Sequence, residues 1–194
     1  MGRIKDKMIK DGNDDNDDGY DHYEIEQAEL EYFRQKAIDD IKECFEGILE
    51  NQLKSCKGPR EALLDVSMHN RNFHRVIWEA STETLPNLEV QVVIDGKNNC
   101  FVSTGSAGYV DFFTPPVGMT LPIRCWIHTH PFGAAYFSGT DIRTVSIWEQ
   151  NMECAYVLGG IDHHGFWTQK NPKQLEIYED NDEYQIQTWG DEEE

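Results

Sequence analysis

Two histidines, a serine and an aspartate are spaced along the chain so that they could hold and use a metal ion. His128, His130, Ser138 and Asp141 follow the pattern H-x-H-x7-S-x-x-D. Because side chains alternate along a strand, the two histidines should project from the same face. Imidazole nitrogens and carboxylate oxygens are ligands of catalytic zinc, and three protein ligands leave a fourth position for water. The spacing therefore predicts a mononuclear zinc site with His128, His130 and Asp141 as ligands.

The elements predicted around this motif would bring its residues together. A strand is predicted at Ile123–His128, and Pro131 ends it because proline has no N–H to give to a ladder. The Phe132–Phe137 loop turns the chain back to a helix near Asp141–Asn151. The serine–aspartate spacing also fits a simple helix cap. The complete pattern, however, would arise by chance in roughly one chain of this composition in a thousand, which favours a site.

The run His128-Thr129-His130-Pro131, followed by Ser138 and Asp141, resembles the signature of the JAMM, or MPN-type, metalloproteases. That family includes deubiquitinating and archaeal desampylating enzymes and the related RadC proteins. The resemblance is specific over Ile127–Asp141. It implies zinc bound by the two histidines and the aspartate, and a serine that helps to stabilise the oxyanion. It also implies an upstream glutamate that handles the water bound to zinc.

Three glutamates lie upstream, at Glu79, Glu83 and Glu89. We favour Glu89, because it begins an apolar strand after a helix, at a position similar to that of the family's glutamate. Glu79 is the alternative, since Val76–Trp78 could itself form a strand. The interval from Glu89 to the first histidine is short and has no clear room for the helix that the family usually carries there. Two explanations stay open: this chain has lost that helix, or the general base is Glu79.

The resemblance implies zinc-dependent hydrolysis of a peptide or isopeptide bond. The expected substrate is a protein or peptide, with a ubiquitin-like conjugate as one candidate. Two alternatives stay open: a non-catalytic MPN-like scaffold or binding module, and a RadC-like protein associated with DNA.

Charge and composition restrict the partners. The chain of 194 residues carries 17 basic and 36 acidic residues, a net charge of −19. Such a surface repels phosphate backbones, so we expect no binding to nucleic acid. Residues 1–19 contain no apolar signal-peptide core, and no run approaches the roughly 20 apolar residues of a membrane helix. The 5 cysteines form no C-x-x-C pair. We therefore expect a cytoplasmic protein without membrane contact or disulfide framework.

Four segments are predicted along the chain: a disordered acidic segment at 1–19, an amphipathic helix at 20–56, a JAMM/MPN-like metalloprotease domain at 59–190, and an acidic tail at 191–194. The helix carries an apolar stripe with helical spacing. The stripe consists of Leu30, Phe33, Ala37, Ile41, Phe45 and Ile48. It should pack on the following domain, and self-association through this helix is the alternative.

The domain is predicted to be α+β, with a central mixed sheet flanked by helices. The resemblance implies the JAMM/MPN fold, with its cytidine-deaminase-like layers. The predicted helices are Glu61–Arg75 and Asp141–Asn151, and the predicted strands are Leu88–Ile94, Cys100–Thr104, Tyr109–Phe113, Ile123–His128, Ala155–Leu158 and Gly165–Gln169. The last segment, Gln174–Trp189, alternates weakly and is expected to form a hairpin at the sheet edge.

The remaining histidines and the residues before the motif have simpler interpretations. His163 and His164 should lie at a solvated hairpin tip, and His69 and His74 should be surface or packing residues. Trp126 shares a face with His128, where it should line the site or belong to the core. Cys125 alternates to the opposite face and is interpreted as a small buried hydrophobe.

Overall fold

The computed structural model describes residues 18–55, 68–110, 112–133, 135–179 and 184–188, with only the backbone given for 18–25, 184 and 187. The predicted tail at 191–194, most of the predicted segment 1–19 and the first part of the predicted helix Glu61–Arg75 lie outside these residues. Within them, no helix is both long enough and apolar enough to cross a membrane.

Three helices and seven strands follow along the described residues. The helices are α1 (Asp18–Ser55), α2 (Arg71–Glu79) and α3 (Gly139–Trp148). The strands are β1 (Val90–Asp95), β2 (Cys100–Thr104), β3 (Ile123–Thr129), β4 (Met152–Leu158), β5 (His164–Thr168), β6 (Gln174–Tyr178) and β7 (Tyr184–Thr188). A π-helical turn, Ala80–Thr84, continues α2, and a 3-10 turn, Glu149–Asn151, follows α3.

The strands form one mixed sheet in the order β2-β1-β3-β4-β5-β6-β7. Strands β3 and β4 run parallel, and every other neighbouring pair is antiparallel. The parallel pair is joined by a crossover through α3, as a parallel connection requires. The predicted α+β class with a mixed central sheet is confirmed, and β6 and β7 form the hairpin expected at its edge.

The central strands are covered on both faces, which explains their nearly continuous apolar sequence. On one face, Val92 of β1 packs in a core with Phe45 of α1 and Ile77 of α2. On the other face, Val93 packs in a second core with Val145 of α3. Helices α1 and α2 therefore cover one side of the sheet and α3 the other.

Helix α1 packs on the sheet through only part of its predicted stripe. Ala37, Ile41 and Phe45 are buried, whereas Tyr32 is 66% exposed and Phe33 is 42% exposed. The C-terminal half of the stripe thus contacts the domain. Phe33 in its N-terminal half is exposed, and so is the neighbouring Tyr32, which lies outside the predicted stripe. Self-association through this helix stays a prediction.

Asp95, at the end of β1, ties two loops together ahead of β3. Its carboxylate accepts hydrogen bonds from the Lys97 and Asn99 N–H groups at 2.8 and 2.9 Å. It also accepts bonds from the N–H and hydroxyl of Thr120 at 3.0 and 2.9 Å. Burial alone would raise the pKa of Asp95, but bonds from Asn99 and Thr120 lower it overall. This carboxylate fixes the segment that leads into the strand carrying the histidines.

Three predictions of secondary structure are wrong in the described residues. The described residues of the predicted strand Tyr109–Phe113 belong to no strand, and Tyr109 pairs with Ser106 through an isolated bridge. The predicted helix end at Arg75 and the alternative strand at Val76–Trp78 are also wrong. Asn70 caps α2 by accepting the N–H groups two and three residues on, and the helix then continues to Glu79.

His164 is not at a solvated tip, as its position in an Asp-His-His-Gly sequence suggested. It opens β5, and its ring stacks on Tyr178 with the ring centroids 5.0 Å apart. His69 hydrogen-bonds the hydroxyl of Tyr156 through Nδ1, and the ring of His74 lies against the same tyrosine at 4.6 Å. His69 and His74 are thus packing residues, and His164 joins them because the β5–β6 pairing brings its ring inward.

Acid should unfold this protein partly through His74. Burial lowers the pKa of His74 to about 4, while an unfolded histidine titrates near 6.5. Between these two values the unfolded chain binds a proton that the folded chain does not, so the free energy of unfolding falls as the pH falls. From pH 7.5 to 4.5 the free energy of unfolding should fall in both proteins. We expect this fall to be about 2 kcal/mol smaller in His74→Gln than in the wild type.

The measurement is urea unfolding at both pH values in the presence of a chelator, so that metal release does not contribute. His163→Gln is the matched control, because His163 is next to His164 in sequence and its side chain is 27% exposed. An equal acid sensitivity in His74→Gln and the wild type would contradict the assignment.

Candidate metal centre

Hydrogen bonds fix the end of β3. Thr129, between the two histidines, projects to the face that α1 and α2 cover. There its hydroxyl donates to Ser81 at 2.8 Å and accepts the Val90 N–H at 2.9 Å. The His130 N–H donates to the carbonyl of Leu158 at 2.8 Å, so pairing with β4 continues past the strand end. Strand alternation therefore persists through the second histidine.

Both histidine rings project from the α3 face of the sheet, as predicted. The centroids of the His128 and His130 rings are 5.0 Å apart, and the ring planes are nearly perpendicular. The His128 side chain is fully buried, while His130 keeps a small exposed edge. Gly133, with φ of 87°, then lets the loop after Pro131 turn back towards α3.

Asp141 reaches the histidines from the first turn of α3. Its Oδ1 lies 3.1 Å from His128 Nε2, and its Oδ2 lies 3.4 Å from His130 Nε2. Ser138 caps the helix: its N–H donates to Asp141 Oδ2 at 2.7 Å, and its Oγ accepts the Asp141 N–H at 3.3 Å. The predicted cap and the predicted cluster thus coexist. The nitrogen and oxygen donors of His128, His130 and Asp141 lie within 4.8 Å of one another and can bind a metal ion.

The protonation states of these residues suit metal ligation. Burial lowers the pKa of His128, against opposing effects of Asp141 and the Tyr156 carbonyl. Burial would raise the pKa of Asp141, but His128, His130 and Ser138 together hold it well below its usual range. A neutral imidazole and an ionised carboxylate are the forms that bind metals. The Nε2 atoms of His128 and His130 both face the Asp141 carboxylate, so the donor set fits a cation.

Glu89 lies in the same cavity as this cluster. A cavity of about 250 Å³ is lined by Glu89, His130, Ser138 and Asp141, among others. The backbone of Glu89 extends the β1–β2 pairing: its N–H donates to Ser106 at 2.9 Å, and its carbonyl accepts the Gly105 N–H at 2.8 Å. The backbone of Glu89 is thus fixed next to the cavity that this residue lines.

Burial raises the pKa of Glu89 to about 7. The charge on Asp141 acts in the same direction, whereas His130 and a hydrogen bond from the Val110 N–H oppose the rise. A carboxyl group that titrates near neutral pH can both accept and donate a proton under physiological conditions.

Glu79, the alternative base, lies elsewhere. It ends α2 and lines a groove of about 640 Å³ with Asp40 and Glu43 of α1, on the side of the sheet opposite to α3. Strand β1 pairs directly with β3, opposing Gln91 to His128, which brings Glu89 close without an intervening helix. The structure therefore places Glu89 at the cluster and Glu79 outside it. The catalytic roles of Glu89 and Ser138 stay predictions.

Several residues at the site were not predicted from the motif. Phe132 and Tyr136 line the cavity and are 72% and 54% exposed, and Tyr109 approaches from the turn after β2. Their contribution depends on loop paths that have no local sequence signal. Gln91 is different, because a glutamine inside an otherwise apolar strand is itself a signal of a buried polar contact.

Comparisons with protein-family models, with curated proteins and with solved structures find no match to this chain. The interpretation of the centre therefore depends on its own geometry. His130, Asp141 and the Glu89 carboxyl group, whose pKa is raised, line one small cavity, and the buried His128 lies beside them.

Proposed function

We propose that this protein is a zinc-dependent hydrolase of peptide or isopeptide bonds, with a metalloprotease domain of the JAMM/MPN type. The observation that carries the proposal is the placement of Glu89 in one cavity with His130 and Asp141, beside the buried His128. Two imidazoles and one carboxylate are a donor set that zinc accepts, and this set leaves a coordination position open.

The residues around the cavity can divide the work of amide hydrolysis. His128, His130 and Asp141 would hold the zinc ion, which would supply a Lewis acid for the carbonyl group and activate water for attack. Glu89 accepts the proton of the attacking water on a carboxylate oxygen and delivers it to the leaving amine nitrogen. The Val110 N–H, which hydrogen-bonds the Glu89 carboxylate, keeps that oxygen in place.

Ser138 is suited to stabilise charge on the carbonyl oxygen. Its Oγ accepts the Asp141 N–H, and a hydroxyl that accepts one bond still has its own proton to donate. The capping box fixes the position of this hydroxyl at the start of α3. Donors held in place before the reaction are the effective ones for a developing oxyanion.

The shape of the cavity limits what enters it. A volume of about 250 Å³ is below the usual range of small-molecule sites, so it admits the scissile amide and small adjoining groups. The rest of a protein or peptide substrate would lie outside, against exposed rings such as Phe132 and Tyr136. A conjugate of a ubiquitin-like modifier fits this description, as does an extended peptide.

The test is hydrolysis by the full chain, with zinc, of a panel of fluorogenic peptides and isopeptide-linked ubiquitin-like conjugates. We expect cleavage that a chelator abolishes and zinc restores, and none with His128→Ala/His130→Ala. Zinc content is measured in parallel. Failure of the wild type to bind zinc would exclude the enzyme.

A second candidate is a non-catalytic MPN-like binding module. The exposed aromatic rings Tyr32 and Phe33 on α1 favour it, since single-chain packing leaves them uncovered in the described residues. Zinc bound at about one ion per chain without cleavage of any substrate in the panel would support this candidate over the enzyme. A DNA-associated, RadC-like role is disfavoured by the net charge of −19.

A further inference from the structure

The ring of His128 is held by aromatic packing. The indole of Trp126, two residues earlier on β3, stacks on the His128 ring with the centroids 4.3 Å apart and the planes 14° from parallel. Phe137 meets the same ring edge-on, at 5.9 Å and 88°. Trp126, His128 and Phe137 are almost completely buried, so this stack is screened from water.

Metal-binding histidines usually owe their orientation to a hydrogen bond from the second ring nitrogen to a carboxylate, carbonyl or water. The Tyr156 carbonyl acts on the His128 ring, but no contact of either ring nitrogen within the described residues reaches full hydrogen-bond geometry. The flat stack on Trp126 therefore adds to the restraint on rotation of the ring.

The indole of Trp126 is itself oriented by polar contacts with two neighbouring strands. Its Nε1–H donates to Gln91 Oε1 on β1 at 3.1 Å. Gln91 Nε2 in turn donates to Ser103 Oγ on β2 at 2.9 Å, which determines which way the amide faces. Gln91 is a buried polar residue between Val90 and Val92, where an apolar side chain would cost less to bury.

We propose that Trp126 is the positioning residue for His128, and that Gln91 and Ser103 hold Trp126 in register for this task. The inference rests on the metal site of the proposed function, and it assigns no chemical step to these residues. The relay runs across three adjacent strands, from Ser103 on β2 to Gln91 on β1 and the Trp126–His128 stack on β3. It supplements the contact of the Tyr156 carbonyl with the His128 ring.

The test compares zinc dissociation constants, from competition with a chromophoric chelator, and the visible spectrum of the cobalt-substituted protein. Trp126→Leu removes the stack and should weaken zinc binding by about 10- to 100-fold, the usual effect of losing an orienting contact. Gln91→Leu keeps the stack but frees the indole, and should weaken binding less while altering the cobalt spectrum.

Trp167→Leu is the matched control. Trp167 is equally buried in the same core and donates its indole N–H to the Pro172 carbonyl at 3.2 Å, away from the histidines. We expect this variant to lose stability and to keep wild-type zinc affinity. Equal weakening in Trp167→Leu and Trp126→Leu would overturn the inference, because general loosening of the core would then explain both.

Wild-type zinc affinity and an unchanged cobalt spectrum in both Trp126→Leu and Gln91→Leu would also overturn it. If Trp126→Leu does not fold, Gln91→Leu alone decides, since it conserves the packed volume. The proposed function fails separately. If the variants change zinc affinity as expected but the wild type cleaves no substrate, the positioning role of Trp126 stands and the proposed hydrolase activity fails.

Discussion

Glu89→Gln should bind about one zinc per chain and lose hydrolysis by a factor of about 10² to 10⁴. The amide keeps the size and most of the packing of the carboxyl group, but it cannot accept the proton of the attacking water. Glu89 lines the cavity without belonging to the His128–His130–Asp141 cluster, so its loss should leave the metal in place. The measurement is kcat/KM on the best substrate of the panel, together with zinc content.

Glu79→Gln is the matched control for this variant. Glu79 was the other candidate base, and it lines the groove between α1 and α2, on the side of the sheet opposite to α3. We expect wild-type kcat/KM from it. If Glu79→Gln lost activity and Glu89→Gln kept it, the assignment of the base would be reversed and the cavity would not be the site of the reaction.

The pH profile follows from the same residue. A general base acts in its deprotonated form, so kcat/KM should fall as the pH falls through the pKa of Glu89. Burial raises that pKa to about 7 in the metal-free chain, and a zinc cation nearby would lower it. The acid limb should therefore lie at or below pH 7.

Local patterns were sufficient to predict the cluster, because each step from the histidines to the aspartate depends on neighbours in sequence. Strand alternation places His128 and His130 on one face, Gly133 allows the turn, and the Ser138 cap sets the start of α3. These are short-range constraints, and the structure has all of them.

The rest depended on pairings between distant segments. The choice between Glu79 and Glu89 required the β1–β3 register, which opposes Gln91 to His128 although the two strands are not consecutive in the chain. His164 was misplaced for the same reason, since its burial comes from the β5–β6 pairing with Tyr178. The wrong strand at Tyr109–Phe113 had suitable residue types, but among its described residues only Tyr109 pairs, through an isolated bridge to Ser106.

Asp141→Asn and Ser138→Ala should separate the two tasks of the α3 terminus. Asparagine can still accept the Ser138 N–H through its carbonyl oxygen, so Asp141→Asn should keep the helix cap. The neutral amide is a poor ligand, and we expect zinc affinity to fall by more than the roughly 100-fold that loss of an outer-shell contact causes. Hydrolysis should disappear with the metal. The measurement is the zinc dissociation constant, with thermal unfolding of the chelated protein to follow the cap.

Ser138→Ala should behave in the opposite way. It removes the capping oxygen and should destabilise the chelated protein by about 1 kcal/mol, the usual cost of losing a serine cap. It leaves His128, His130 and Asp141 intact, so zinc should stay bound, while kcat falls by about 10² to 10³ through loss of the oxyanion donor. Equal loss of zinc in both variants would contradict this separation, because the Ser138 cap would then be needed to hold Asp141 in place as a ligand.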